Sequence, residues 1–390
     1  MFEERVNEHF DTLVSQGRGH MPHRNRTRKP HLREGARSTA CVAFLGLAYS
    51  LACGEERQER DAAPPTVRLN SQQITRSTGA GGAEDPSILK TADGRIWIAW
   101  FDRDQAGKCH LWCKNSRDGK TWSDPIQVTR NPEGDNWYPS MIQAADGTLC
   151  LAWWSGRTGN GEIWFSESAS GKEWSDPIRI TNNLGHDWCP SLVQAGDGTL
   201  WIAWGASESK GKNKDIWVTR SIDRKQWSQP RGVLHSELSE DFPSLVPYGP
   251  KGVRMAYCAY TYRGEEIISL GNDSAEIYLV ESEDGSSWSK PIRLTENATV
   301  DLLPSLVNEP RGDLSVFWTS SATDPFGDTV GLWMSKGKRS KLYRITSYAG
   351  EDYSPKVIRT GEGVYWTAWV SNQSGKRNIW AGSFRSTELK

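Results

Sequence analysis

The sequence predicts an all-β fold, a six-bladed β-propeller with four-stranded antiparallel blades. One strand–turn–strand unit occurs six times, as in WYPSMIQAADGTLCLAW from Trp137 and WCPSLVQAGDGTLWIAW from Trp188. Each unit continues through further strand-like segments, and four short strands per repeat are typical of a propeller blade. The chain also holds 20 Trp among 390 residues, and many recur at fixed places in the repeat.

The first 65 residues precede the repeats. A basic stretch at 23–37 is followed by an apolar run from Ala40 to Ala52, which is the order of a secretory signal and too short to span a bilayer. The run ends at Cys53, which resembles the lipid-attachment cysteine of bacterial lipoproteins, and a signal cleaved without lipid is the alternative. We expect residues 1–53 to be an export signal region, 54–65 a flexible tether and 66–390 the propeller. The expected location is the cell envelope, through a lipid anchor, or the exterior.

Composition limits the partners. Lys and Arg number 47 against 48 Asp and Glu, so the formal net charge is −1. That balance gives no field for nucleic acid, and we expect contact with a membrane only through the lipid anchor. The sequence has no paired cysteines or clustered histidines with metal-ligand spacing, so no metal or other cofactor is expected. We expect a monomer.

The last repeat, which opens at Tyr353, ends after three strands near Phe384. The segment 67–75 matches the fourth-strand pattern seen at 126–129. We therefore expect an N-terminal strand to complete the last blade, since closing the ring removes unpaired sheet edges.

The turn before the fourth strand has its own pattern, SRDGKTW from Ser116 and SEDGSSW from Ser282, with imperfect copies from Ser168 and Ser221. Asp can bond to the turn backbone, and the Trp can fold back to bury the turn. These turns resemble the Asp-box (BNR) repeat of sialidase-like propellers, from about Val67 to the C terminus. The resemblance implies a carbohydrate-active protein of the sialidase superfamily, with a glycan or glycoconjugate as partner.

The loops after the second and fourth strands share one end of a propeller, and we expect the functional site there. Acidic residues stand just before the first strands and would surround the mouth of the central channel. They are Asp85, Asp135, Asp187, Asp241, Asp301 and Asp352. Trp137 and Trp188 lie among them, and carboxylates beside aromatic rings suit a sugar. The alternative is that each Asp caps a turn or binds the neighbouring blade.

The resemblance also implies individual roles. Arg103 and Asp104 look like the Arg and Asp of the first sialidase blade, and Tyr353 looks like the Tyr that opens the last one. Asp104 would then be the general acid and base and Tyr353 the nucleophile, with Glu208 as a candidate to assist it. The arginines in loops after second strands are candidate substrate ligands: Arg103, Arg157 and Arg263.

Departures from the family leave the function open. Asp85-Pro86 replaces the Arg-Ile-Pro of the first sialidase blade, and the fifth blade, 318–333, has no arginine. Tyr353 also occupies a slot that holds Tyr138 or Phe242 in other repeats, so packing is its alternative role. An exo-glycosidase for sialic acid or another sugar, a non-catalytic propeller that binds glycan or protein, and a structural or assembly factor all remain hypotheses.

Overall fold

The fold was analysed in a computed structural model that describes residues 66–79, 81–130, 134–207, 213–234, 236–263, 266–267, 275–296, 300–320, 331–336, 341–346 and 350–388. In these residues the fold is all-β, and the strands pair antiparallel into four-stranded sheets. The export signal region, Cys53 and the tether lie outside the described residues. No helix in the described ranges has the length and apolar character needed to cross a membrane.

The strands follow chain order within the sheets. The N-terminal strand is β1 (Asn70–Gln73). Sheet I contains β2 (Ala83–Lys90), β3 (Ile96–Arg103), β4 (Cys109–Ser116) and β5 (Ile126–Gln127). Sheet II contains β6 (Asn136–Gln143), β7 (Leu149–Ser155), β8 (Glu162–Ser168) and β9 (Ile178–Arg179). Sheet III contains β10 (His186–Gln194), β11 (Leu200–Ser207), β12 (Asp215–Ser221) and β13 (Arg231–Gly232).

The remaining sheets repeat this order. Sheet IV contains β14 (Ser239–Tyr248), β15 (Gly252–Tyr260), β18 (Glu276–Ser282) and β19 (Ile292–Arg293), and a hairpin of β16 (Tyr262–Arg263) and β17 (Glu266–Ile267) precedes β18. Sheet V contains β20 (Asp301–Asn308), β21 (Leu314–Ser320), β22 (Gly331–Lys336) and β23 (Lys341–Arg344). Sheet VI contains β24 (Asp352–Gly361), β25 (Val364–Ser371) and β26 (Asn378–Arg385), and β1 pairs with β26. Short 3₁₀ turns lie at Pro310–Gly312 and Ser386–Glu388.

The first strands of the sheets face a common axis. Each contacts the first strand of the next sheet, in the order β2, β6, β10, β14, β20 and β24, and β24 contacts β2. They enclose an axial cavity of ≈ 80 Å³. Apolar clusters fill the space between neighbouring sheets. The prediction of an all-β propeller with four-stranded antiparallel blades is therefore confirmed.

Each first strand carries a bulge at a shared proline. The residue before this Pro has a positive φ in every first strand: Asp85 (47°), Tyr138 (53°), Cys189 (51°), Phe242 (54°), Leu303 (57°) and Ser354 (54°). The strand register shifts at the same point. A non-glycine residue in this conformation costs on the order of 1–3 kcal/mol, so the surrounding packing must hold it in place. Because the strain recurs in each sheet, it belongs to the repeat.

The serine after the shared Pro joins neighbouring sheets. Its hydroxyl oxygen accepts a backbone N–H from the next first strand, as Ser87 does from Met141 at 2.9 Å and Ser191 from Leu245 at 3.0 Å. Ser140, Ser244 and Ser305 make the equivalent bonds at 2.9–3.0 Å. Sheet VI has Lys356 where the other sheets have this serine. The repeat is thus broken at the junction of sheets VI and I.

The turns between third and fourth strands are braced as their residue pattern predicts. The Ser116 hydroxyl accepts from the N–H of Gly119 at 2.9 Å, and Asp118 accepts from Lys120 and Thr121. The backbone donors, Thr121 first, lower the pKa of Asp118 to about 2. A Cβ at Gly119 would lie 2.3 Å from the Trp366 ring of the adjacent sheet. Glycine therefore lets this turn close onto the neighbouring sheet.

Candidate functional site

The loops after the second and fourth strands lie at one end of the axis, here called the loop face. The strand 1–2 and strand 3–4 turns lie at the other end, the turn face. The predicted aspartates stand near the loop face but not in one register. Counted from the shared Pro, Asp85 is one residue before it, Asp241 two and Asp135 four, while Asp187, Asp301 and Asp352 are three before it. Alignment on the shared Pro therefore gives no single acidic position that is common to all the repeats.

Several of these aspartates are bonded to their own or the adjacent sheet. Asp187 accepts the indole N–H of Trp204 at 2.9 Å, and Asp301 accepts the hydroxyl of Ser320. Asp135 accepts the N–H of Cys109 from sheet I at 2.7 Å. Burial raises the pKa of Asp187 to about 6 and also raises that of Asp352. These contacts support the alternative in which each Asp caps a turn or binds the neighbouring blade.

The two predicted tryptophans, Trp137 and Trp188, both stack on a third, Trp154. The rings of Trp137 and Trp154 lie 4.4 Å apart at 15°, and those of Trp154 and Trp188 lie 5.3 Å apart at 5°. Trp137 is 2% exposed, whereas Trp188 is half-buried. Trp188 is therefore the member of the stack whose ring is partly accessible to a ligand.

A cation lies beside Trp188. The Lys214 ammonium is 5.4 Å from the Trp188 ring centroid and 5.9 Å from that of Phe242. It makes an ion pair with Asp241, which also accepts from the Tyr260 hydroxyl at 3.4 Å. Burial, the largest single influence, opposes the charge on Lys214, but Asp241 together with Tyr260 and Cys189 outweighs it and raises the pKa. Asp241 is thus committed to this buried pair.

Tyr353 lies at the junction of sheets VI and I. Its hydroxyl donates to Glu84 Oε2 at 2.8 Å. Arg377 Nη1 lies 3.5 Å from Glu84 Oε1, and its guanidinium lies 5.8 Å from the Tyr353 ring. Arg377 Nη2 also lies 3.7 Å from Glu351 Oε2. The pKa of Tyr353 is raised well above its usual value, first by burial and then by the charge of Glu84. The charge of Arg377 acts in the opposite direction but is the weaker influence.

The repeat slot of Tyr353 differs from the predicted one. Tyr353 stands two residues before the shared Pro, where other first strands have Glu84, Trp137 or Leu302. Ser354 holds the slot of Tyr138 and Phe242. The interpretation that Tyr353 fills the Tyr138 slot is therefore wrong, because alignment on the shared Pro places Ser354, not Tyr353, in that slot.

The two aspartates at the end of β3 have different surroundings. Asp104 is exposed and accepts the N–H groups of Lys108 and Ala106, at 2.9 and 2.8 Å, and the Lys108 bond is the main reason that its pKa is lowered. Asp102 is partly buried and accepts the Ser77 hydroxyl at 2.6 Å. Burial raises the pKa of Asp102.

The predicted arginines do not all approach Tyr353. Arg157 stacks on Trp164 at 4.4 Å and donates to Asn136 at 3.0 Å, so it belongs to sheet II. Arg103 packs so closely on Gly81 that a Cβ there would lie 2.5 Å from its Cδ. Arg263 lies in β16, but its side chain is not described. Glu208 lies outside the described residues.

Four residues of this region were not predicted: Glu84, Trp154, Lys214 and Arg377. Arg377 lies in the loop after the second strand of its sheet, so the search that found Arg103 and Arg157 would have found it. Glu84 directly precedes Asp85, but its contact with Tyr353 joins positions 269 residues apart. No cluster of three potential metal ligands occurs within the described ranges.

The class of protein follows from this architecture: it is a β-propeller with variable loops and a polar cluster at one end of the axis. No family model matches the sequence. A sialidase of Bacteroides fragilis (strain YCH46) is 25% identical over 179 residues, which are 39% of this chain and 31% of that protein. The chain therefore matches under two thirds of the length of that relative.

Solved structures share the fold. A protein of unknown function from Dyadobacter fermentans DSM 18053 superposes with a TM-score of 0.64 at 15% identity, over 82% of this chain and 99% of that one. An α-L-arabinanase of Penicillium chrysogenum, complexed with arabinobiose, has a TM-score of 0.59 at 15% identity, over 84% and 99%. These likenesses show that the fold of this chain is shared with both structures.

Proposed function

We propose that this chain is a six-bladed propeller, closed by β1 and carrying Asp-box turns, that hydrolyses the bond to a terminal sugar at its loop face. The observation that carries the proposal is the 2.8 Å hydrogen bond from Tyr353 to Glu84, with Arg377 beside both. A carboxylate that takes the phenol proton makes the phenolate oxygen available as a nucleophile. The sialidase and the arabinanase to which the chain is similar are both named for action on sugars.

In the proposed reaction Tyr353 Oη bonds to the anomeric carbon as the glycosidic C–O bond breaks. Glu84 accepts the phenol proton, and a second carboxylic acid protonates the leaving oxygen. Water then attacks the anomeric carbon, its proton returns to the second carboxylate, and Tyr353 recovers its proton from Glu84. Burial and the charge of Glu84 raise the pKa of Tyr353, and the nearby charge of Arg377 partly offsets them, which favours transfer of the phenol proton to Glu84.

Asp102 is the better candidate for the second acid. A general acid must hold its proton near neutral pH, and burial gives Asp102 a raised pKa. Asp104, the residue that the family resemblance selects, has a lowered pKa because backbone N–H groups stabilise its charge. Asp102 is paired with Ala83 across β2 and β3, one position from Glu84.

The proposed sugar is neutral. Glu84 stands two residues before the shared Pro, where a sialidase would place an arginine for the carboxylate of its sugar, and the charge of Glu84 repels an acidic substrate. Arg157 is committed to Trp164 and Asn136. The partly exposed ring of Trp188 offers an apolar contact to a sugar, and the Lys214 ammonium beside it offers hydrogen-bond donors.

The test is hydrolysis by the full-length chain of fluorogenic aryl glycosides that include arabinofuranosides, hexopyranosides and sialosides. We expect turnover of a neutral glycoside and none of sialosides. Tyr353→Phe should abolish that turnover, and Tyr365→Phe is the matched control. Tyr365 is also fully buried and donates to a glutamate, Glu309, but at the turn face. Equal loss of activity in both variants would refute the role of Tyr353.

A second function, glycan binding without hydrolysis, has one observation in its favour. Tyr353 is 0% exposed, so a substrate must displace covering side chains before it reaches the hydroxyl. This function predicts glycan-array binding by a protein that hydrolyses none of the aryl glycosides. Trp188→Ala should then abolish binding, while Tyr353→Phe should preserve it.

Export and lipid attachment at Cys53 are also proposed, on the order of basic and apolar segments before that cysteine. Cells that express the full-length chain and are fed a labelled fatty acid should incorporate label into it. Cys53→Ser should remove the label. An unlabelled wild-type chain would contradict the anchor.

A further inference from the structure

The axial cavity is lined by serine hydroxyl groups whose protons donate no hydrogen bond to the described residues. Ser87, Ser140, Ser191 and Ser244 line it, and each oxygen accepts an N–H from the neighbouring sheet. None of these hydroxyls donates its own proton to any residue in the described part of the chain. A serine hydroxyl carries one donor besides its acceptor sites. The cavity wall therefore presents donors that remain available to a ligand.

Lys356 adds an ammonium to this ring. It occupies the position after the shared Pro in sheet VI, which is serine in the other sheets, and it lines the same cavity. Its ammonium makes neither a hydrogen bond nor an ion pair with the described residues. Burial, the main influence, lowers its pKa, while the charge of Asp85 acts in the opposite direction. A desolvated ammonium without a counter-ion at contact distance favours an anion.

We propose that the axial cavity is a binding site for a small inorganic anion of the halide class, held by the Lys356 ammonium and the serine hydroxyls. All of these groups donate, so they suit a ligand that only accepts. The volume of ≈ 80 Å³ admits a single small ion and excludes a sugar or a large organic anion. The site is separate from the Tyr353–Glu84 pair and does not depend on the proposed hydrolysis.

Asp85 is the group that could oppose an anion in this cavity. Its Oδ1 lies 3.3 Å from the Ser354 hydroxyl. Burial, and then the charge of Glu84, raise the pKa of Asp85 to about 8, against the effects of Lys356, Ser354 and Arg377. At neutral pH most of this carboxyl is protonated, so it does not cancel the charge of Lys356.

The ion would connect the first strands, so it should stabilise the folded chain. The melting temperature of the full-length protein is measured in sodium bromide and in sodium gluconate at equal ionic strength. We expect bromide to raise the Tm by roughly 2–4 °C, because a ligand that binds only the folded state stabilises it. Lys356→Ser, which gives sheet VI the serine of the other sheets, should remove the difference. The exposed-site control, Lys225→Ser, should retain it.

A crystal grown in sodium bromide gives the direct readout. We expect an anomalous bromide peak on the axis, within hydrogen-bond distance of Lys356 Nζ. The proposal is overturned if the wild-type cavity holds no bromide, or if Lys356→Ser keeps the halide effect on Tm. The wild-type crystal decides the question even if the variant does not fold.

Discussion

Two clusters in this propeller share the same chemistry at opposite ends. At the loop face Tyr353 donates to Glu84, and Arg377 lies 3.5 Å from that carboxylate. At the turn face Tyr365 donates to Glu309, and Arg359 lies 3.6 Å from it. Both tyrosines are 0% exposed, and burial raises the pKa of each.

The surroundings of the two clusters differ. Glu309 also accepts the Ser315 hydroxyl at 2.6 Å and lies in the tight connection between β20 and β21. Glu84 lies beside a strained bulge and near the variable loops that follow the second strands. The phenol–carboxylate pair is therefore not by itself a catalytic signature. Its position among loops able to shape a ligand site is what distinguishes Tyr353.

Parallel substitution of the two glutamates gives the strongest test of whether the two clusters differ in function. Glu84→Gln should reduce turnover of the hydrolysed glycoside by about 10²–10⁴-fold, because an amide cannot take the phenol proton. Glu309→Gln should leave turnover close to that of the wild type. Steady-state kinetics of both variants gives the comparison.

Stability provides the control for this pair. Both substitutions weaken a buried hydrogen bond and should lower the free energy of unfolding by about 1–3 kcal/mol, as measured in urea. Turnover that falls in proportion to stability in both variants would show that Glu84 has only a structural role.

Asp102 in β3 and Asp104 directly after it provide a second comparison, within the loop face. Asp102→Asn should lower kcat by about 10²-fold and remove the fall in activity at high pH, because the acid must be protonated to act. Asp104→Asn should preserve both kcat and the pH profile. The reverse result would restore the assignment made from the family resemblance.

The raised pKa of Asp85 gives the junction of sheets VI and I a pH-dependent effect on stability. Its pKa is raised to about 8 in the folded chain, against 3.8 for the ordinary side chain. Between pH 4 and 8 the folded chain retains a proton that the unfolded chain has lost, so stability falls as pH rises through this window. Asp85→Asn removes that penalty.

We therefore expect the Tm of Asp85→Asn to exceed that of the wild type by an amount that grows from pH 4 to pH 8. Glu84 on the same strand and Lys356, Ser354 and Arg377 from sheet VI are the groups that act on Asp85. The exposed-carboxylate control, Glu362→Gln, should show no such trend. A pH-independent difference for Asp85→Asn would contradict the raised pKa.

The smallest effect is expected where the repeat is intact. Ser140→Ala removes the acceptor of the Leu192 N–H, which is 2.9 Å from the serine oxygen. The loss should cost about 1–3 kcal/mol in the free energy of unfolding, because a backbone donor is left unpaired. Ser170→Ala, at an exposed turn, should cost less than 0.5 kcal/mol or so. Equal costs would show that the serine bonds do not join the sheets.

The architecture could be predicted because the same strand and turn pattern recurs along the chain, as in the segments from Trp137 and Trp188. The offsets of the aspartates from the shared Pro are visible in the sequence, but the bonds that hold their side chains, such as that of Asp135 to Cys109 in the neighbouring sheet, are not. The pairing of Tyr353 with Glu84 arises where the first and last sheets meet, and no local sequence pattern encodes it. The distinction between Asp102 and Asp104 depends on burial.

Covalent trapping tests the central claim most directly. The full-length chain is incubated with the activated 2-deoxy-2-fluoro analogue of the glycoside that it hydrolyses, and the labelled peptide is identified by mass spectrometry. We predict a glycosyl adduct on the Tyr353 oxygen that is absent from Tyr353→Phe and present in Tyr365→Phe. An adduct on a carboxylate, or hydrolysis without any adduct at Tyr353, would contradict this assignment.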